Sequence, residues 1–136
     1  MDLKTSIAIA ASGLKAQSGR MRVIAENLAN ANSTANGPDG EPFRRRLVSF
    51  QSVYSRALGA HEVRLGRVQF DQSDFVRRYE PGHPAADENG YVEMPNVNPM
   101  IEMMDMRQAQ RSYEANLNVV QASRRMALAT IDIINI

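Results

Sequence analysis

The side chains able to do chemistry are few and far apart. Only two histidines occur, His61 and His83, and neither has the i, i+4 partner or flanking carboxylate of a metal site. Surface or turn positions are the expectation for both. Asp87-Glu88-Asn89-Gly90 begins like a calcium loop but lacks the alternating oxygen ligands and closing bidentate Glu, so a tight turn is predicted instead. Met100, Met103, Met104 and Met106 would offer thioether sulfurs to Cu(I). No His or Cys accompanies them, and adaptable helix packing explains the cluster better. Arg44-Arg45-Arg46, Arg77-Arg78 and Arg124-Arg125 would contact phosphate if the fold gathered them. Asp71, Asp74 and Glu80 sit among them, however, and solvated charge is the expected role. With no Gly-rich phosphate loop, nucleophile elbow or paired-carboxylate arrangement, the sequence assigns no catalytic, cofactor-binding or metal-binding residue. The chain reads as a non-enzyme.

Composition points the same way. The 136 residues, 43% hydrophobic and 23% charged, suit one domain or one extended subunit. Sixteen Lys and Arg against fifteen Asp and Glu give a net charge of +1, without the basic excess of a general nucleic-acid binder. Cys is absent, which excludes disulfides, thiolate zinc and a cysteine nucleophile. No run approaches the roughly 18 to 20 apolar residues that cross a bilayer, so no direct membrane insertion is expected. The apolar stretch at residues 7–11 is short, Asp2 offsets Lys4, and the helical pattern continues past any cleavage point, arguing against a secretory signal.

Two elements dominate the pattern. Leu3, Ile7, Ala10, Leu14, Met21, Ile24 and Leu28 step by threes and fours around polar Gln17, which predicts one helix over residues 3–31. Gly13 and Gly19 weaken it by about 1 kcal/mol each relative to Ala, so it needs a partner. Met103, Met106, Gln110, Tyr113, Leu117, Val120, Arg124, Ala127, Ile131 and Ile134 predict a second helix over residues 100–134. Both average 3.5 residues per step, the coiled-coil repeat. Between them lie turn-forming residues 33–42 and then short alternating stretches around Val48, Phe50, Tyr54, Val63, Leu65, Val68 and Phe70, which read as half-buried strands. Asn89-Gly90 before Tyr91-Val92 signals a hairpin turn in which both residues tolerate positive φ. The expected fold class is α+β: residues 1–32 and 99–136 pair as an antiparallel coiled coil, 33–42 is a linker, and 43–98 forms a small β-rich projecting region. Ile131, Ile133, Ile134 and Ile136 crowd the end and point several ways, which a lone helix pair leaves exposed.

Ser12-Gly13-Leu14-Lys15-Ala16-Gln17 with Arg20-Met21-Arg22-Val23-Ile24-Ala25-Glu26-Asn27-Leu28-Ala29-Asn30-Ala31-Asn32 resembles the N-terminal signature of bacterial flagellar rod proteins, an axial family that includes hook components. Pro81-Gly82-His83-Pro84-Ala85-Ala86-Asp87-Glu88-Asn89-Gly90-Tyr91-Val92, continuing to Pro95-Asn96-Val97-Asn98, is similar to the proximal-rod members, and Tyr113-Glu114-Ala115-Asn116 agrees. The residues that carry the likeness are Asn27, Asn30, His83, Pro84, Asp87, Gly90, Tyr91, Pro95, Asn96 and Asn98. Residues 36–45 vary the family's usual linker, and residues 55–80 carry no recognisable motif.

The resemblance implies a structural subunit of the basal-body proximal rod, located in the periplasm and exported uncleaved by the flagellar type III apparatus. It also implies helical packing with itself, with other rod proteins and with the membrane-ring adaptor, to transmit torque. On that reading the subunit interface is carried by Leu3, Ile7, Leu14, Met21, Ile24, Leu28, Tyr113, Leu117, Val120, Ile131, Ile134 and Ile136. Two other classes compete: a small nucleic-acid or regulatory binding module using the Arg clusters, and a secreted accessory or metal carrier using the methionines. The near-neutral charge and lack of a soft co-ligand weigh against them.

Overall fold

A computed structural model describes residues 2–135. The first helix, α1, runs Leu3–Ala29 and the second, α2, Pro99–Ile134. Each begins where its capping chemistry permits. The Asp2 carbonyl accepts the Ser6 N–H at 3.0 Å. Asn98 caps α2 by accepting the Met100 N–H on its side-chain oxygen at 3.0 Å, and Pro99 fills the first helical position, where its missing N–H is no loss.

The helices pack against each other antiparallel. Gly13 lies against Asn116, the Arg20 guanidinium donates to Gln108 at 3.4 Å, and Asn27 reaches Glu102, so advancing along α1 means retreating along α2. The face that α2 turns inward differs from the stripe of its larger apolar residues. Met106, Tyr113, Val120 and Ala127 are half-buried as expected, but the companion column is Glu102, Ala109, Asn116 and Ser123, one residue before Met103, Gln110, Leu117 and Arg124, which are exposed. Likewise α1 buries Ala10, Gly13, Ala16, Val23, Ile24 and Asn27. The reason is steric. Small side chains let the backbones approach, whereas a Cβ on Gly13 would sit 2.9 Å from both terminal atoms of Asn116.

The two helical glycines are therefore not equivalent. A Cβ on Gly19 would meet only the tip of the Leu65 side chain, which can rotate away, whereas Asn116 is short and is held by its own bond to the Ser112 carbonyl at 3.0 Å. Gly19→Ala is expected to stabilise the chain by up to about 1 kcal/mol through helix propensity, and Gly13→Ala to destabilise it by about 1–2 kcal/mol through crowding. Urea titrations of the two variants check this, and equal midpoints would refute it.

The central strands do not merge into one sheet. They form three antiparallel pairs: β1 (Arg46–Leu47) with β4 (Gln69–Phe70), β2 (Phe50–Ser55) with β3 (Ala60–Leu65), and β5 (Val76–Tyr79) with β6 (Tyr91–Met94). Only β6 alternates cleanly, burying Val92 and Met94, and the other strands are far more exposed than half-buried strands would be. By contacts the chain divides into two units. One takes α1 through Met21, the β2–β3 hairpin (Ser49–Arg67) and α2 from Arg107; the other takes Arg22–Val48 and Val68–Met106. In the first, Ser12 Oγ accepts the Val63 N–H at 3.1 Å, tying the hairpin to α1. In the second, Ala85, Val92 and Met94 form a small core with Ala35 and Ala86 beside it.

Candidate assembly interface

Three groups of residues stand out in this fold: a polar clasp, a turn and a set of exposed apolar side chains on α2. The clasp forms because β1 passes between residues of α1 and α2. Asn27, 1% exposed, uses its carboxamide as a strand uses its peptide group. Its oxygen accepts the Arg46 N–H at 2.9 Å and its nitrogen donates to the Arg46 carbonyl at 2.9 Å. The same nitrogen donates to Glu102 Oε2 at 3.2 Å, and the other Glu102 oxygen accepts from Arg45 Nε. Arg45 also faces Asp71 at 3.5 Å and Asp105 at 3.6 Å, while its backbone N–H donates to Asn96 Oδ1 at 2.7 Å. Asn96 Nδ2 closes the circuit by donating to the carbonyls of Asp71 and Ser73.

Burial opposes the charge on Arg45, but the hydrogen bonds and charges of Glu102 and then Asp71 outweigh it and raise its pKa further. Asp71 is held below the usual carboxylate range, first by the N–H and hydroxyl of Ser73 and then by Arg45. Both groups stay charged across the physiological range, so the clasp is an ion network with its hydrogen bonds satisfied, the arrangement that makes buried charge tolerable. The expectation of solvated charge fails for Arg45, whose side chain is 20% exposed. It holds for Arg77 and Arg78, which pair with Asp87 and Glu80 at the surface.

The turn spans residues 80–90. Asp87 Oδ1 accepts the N–H groups of Asn89 and Tyr91, each at 2.9 Å, and Gly90 takes φ +82°. Asn89 does not take positive φ, because glycine is the only residue type with positive φ among the described residues; the loop is an Asp-capped turn with a left-handed glycine, not a two-residue hairpin. Here a side chain would be doubly excluded, since a Cβ on Gly90 would also lie 2.9 Å from the Tyr79 ring. His83 Nδ1 accepts the Ala85 N–H at 3.0 Å and its Nε2 faces Thr34 Oγ1 at 3.4 Å, which fastens this turn to the segment after α1.

The third group is the set of exposed apolar side chains on α2. Met100, Met103, Met104, Leu117, Met126, Leu128, Ile131, Ile133 and Ile134 are all exposed, the last two by 72% and 76%. The register of Gly13 on Asn116 explains the C-terminal members. Leu3, the first residue of α1, stands opposite about residue 126, so the last two turns of α2 run past their partner for about 12 Å.

Two family descriptions match the chain. Residues 7–36 match "Flagella basal body rod protein" and residues 88–133 match "Flagellar basal body rod FlgEFG protein C-terminal". Among curated relatives, the flagellar basal-body rod protein FlgC of Agrobacterium fabrum is 48% identical over 97% of this chain and 95% of its own length. FlgC of Salmonella typhimurium is 45% identical over 90% and 91%, and that of Bacillus subtilis is 38% identical over 94% and 95%. The chain belongs to the FlgC family of flagellar basal-body rod proteins. It is a structural rod subunit of the flagellar basal body.

Within this FlgC-family chain, most of the motif residues build the fold. Asn27 and Asn96 are in the clasp, Asn98 caps α2, His83, Asp87 and Gly90 make the turn, and Asn30 closes α1 by donating to the Glu26 carbonyl at 2.9 Å. Tyr91 packs edge-on against Tyr79 with ring centroids 5.3 Å apart. Pro95 is buried and Pro84 exposed. Of the residues read as interface, Ile24 is buried within its own unit. Leu3, Ile7, Leu14, Met21, Leu28, Tyr113 and Val120 are half-buried, and Leu117, Ile131 and Ile134 are exposed. Ile136 lies outside the described residues. Sequence reasoning missed Arg45 and Glu102. The signal was a carboxylate in the first turn of α2, directly after Met100 and Ile101, with an arginine triplet available to meet it.

Proposed function

We propose that this chain is a subunit of the proximal rod, assembling helically with itself, with other rod proteins and with the membrane-ring adaptor to transmit torque in the periplasm. The observation that carries the proposal is the exposed apolar surface of α2, whose last two turns run past α1 and need neighbours to leave water. The clasp supports a load-bearing role, because it joins both helices to one strand. Export by the flagellar type III apparatus without cleavage fits α1, in which Ala10 and Gly13 are buried in the folded chain. The assembling surfaces and the names of the relatives favour a structural over a catalytic role. The ion pairs that engage Arg45, Arg46, Arg77 and Arg78 weigh against a phosphate-binding module built on the 44–46 and 77–78 clusters, since most of their guanidinium groups already face carboxylates.

Leu117→Asp tests the reading. Leu117 is 37% exposed, so the monomer should fold with a midpoint within about 1 kcal/mol of the parent, yet a carboxylate buried without a partner at the interface should lower incorporation into isolated basal bodies about tenfold or more. Basal bodies that contain normal amounts of the L117D chain would refute it.

A further inference from the structure

The formal charge is nearly balanced over the chain but not over its units. The unit containing the β2–β3 hairpin holds ten Lys and Arg against four Asp and Glu, an excess of +6; the other holds six against eleven, an excess of −5. Internal pairing sharpens the contrast. In the acidic unit Arg45, Arg46, Arg77 and Arg78 are engaged by carboxylates and Arg44 lies over the Phe75 ring at 4.3 Å. Asp39, Glu41, Asp74, Glu88 and Glu93 remain exposed without an ion pair among the described residues, and Asp74 and Glu93 line one groove. In the basic unit Lys4, Lys15, Arg107, Arg111, Arg124 and Arg125 are exposed in the same way. Both units also expose apolar side chains: Leu117, Met126 and Leu128 in the basic one, Phe70, Val76 and Met100 in the acidic one.

We propose that the partner of this basic α2 face is the acidic unit of a second copy of the chain, seated head to tail. Two apolar surfaces of opposite charge attract and set their own register, while a two-fold contact of like units would oppose +6 to +6 or −5 to −5. Like-charge repulsion thus penalises a dimer of like units, and the complementary basic-on-acidic contact, repeated head to tail along the proposed rod, is the open, heterologous one from which a filament grows. The inference rests on the proposed rod assembly and adds its polarity and its partner.

Charge reversal in the full chain tests it. D74K/E93K and R124E/R125E are each expected to cut rods per cell about tenfold, and the chain carrying all four changes should recover to within about threefold of the parent, because the reversed faces are again complementary. All four positions involved in these sets and their controls are solvent-facing; unchanged melting of each purified variant confirms folding, and the milder D74N/E93Q and R124Q/R125Q sets should each lose about threefold if reversal perturbs the fold. Single sets without effect, or a fourfold variant no better than the single sets, would overturn the head-to-tail contact. Absence of the parent chain from isolated basal bodies would instead overturn the rod assembly itself.

Discussion

Glu102→Ala should destabilise the folded chain by about 3 kcal/mol, the lower end of what removing one partner of a buried pair costs. Glu102 is 1% exposed and accepts from two donors, Arg45 Nε and Asn27 Nδ2. Arg45 retains Asp71 and Asp105 and some contact with water, which keeps the loss from being larger. Asn27 retains both bonds to Arg46. For a chain of this size the thermal midpoint should fall on the order of 10 °C, read by circular dichroism. Glu102→Gln preserves an acceptor and the side-chain volume, so it should lose less than half as much. A midpoint within about 2 °C of the parent for E102A would show that the clasp does not contribute to stability.

Deleting residues 133–136 should leave the monomer's stability unchanged and abolish rods. Ile133 and Ile134 are 72% and 76% exposed, so their removal takes almost nothing from the interior. If assembly buries both, they contribute about 2 kcal/mol each, and losing them weakens each contact by about a thousandfold. Many such contacts act together along a filament, so partial rods are not expected. Electron microscopy of basal bodies from the truncated strain gives the readout alongside the melting curve of the purified protein. Rods of normal length and number would show that the chain end is not an interface.

The elements were legible in the residues because their signals are local. A 3.5-residue apolar step located both helices, and Gly90 marked a turn. The inward faces of the helices were not legible, for a physical reason. Large apolar residues advertise a stripe, but the antiparallel pair closes on Gly13, Ala16, Ala109, Asn116 and Ser123, whose small size permits close approach. The larger residues one position on are left for other surfaces. Arg45 was misread because a basic triplet is usually solvated, and its counter-charge lies far along the sequence, at Glu102 and Asp71. Asn89 was misread because its tolerance of positive φ is a permission and not a requirement; Asp87 set the turn by accepting two N–H groups.

Asn27 has a mechanical consequence. Its carboxamide holds the Arg46 peptide by two bonds while also holding Glu102, so within that unit α1, β1 and α2 share one node. Sliding α1 along α2 to its next packed position means a step of about one helical turn, 5.4 Å, which is beyond hydrogen-bond reach, so Glu102 must release Asn27 and, where β1 travels with α1, Arg45 in the same step. A load that shears α1 along α2 is therefore met by several bonds at once, and the joint acts as a detent that holds until those bonds give way together.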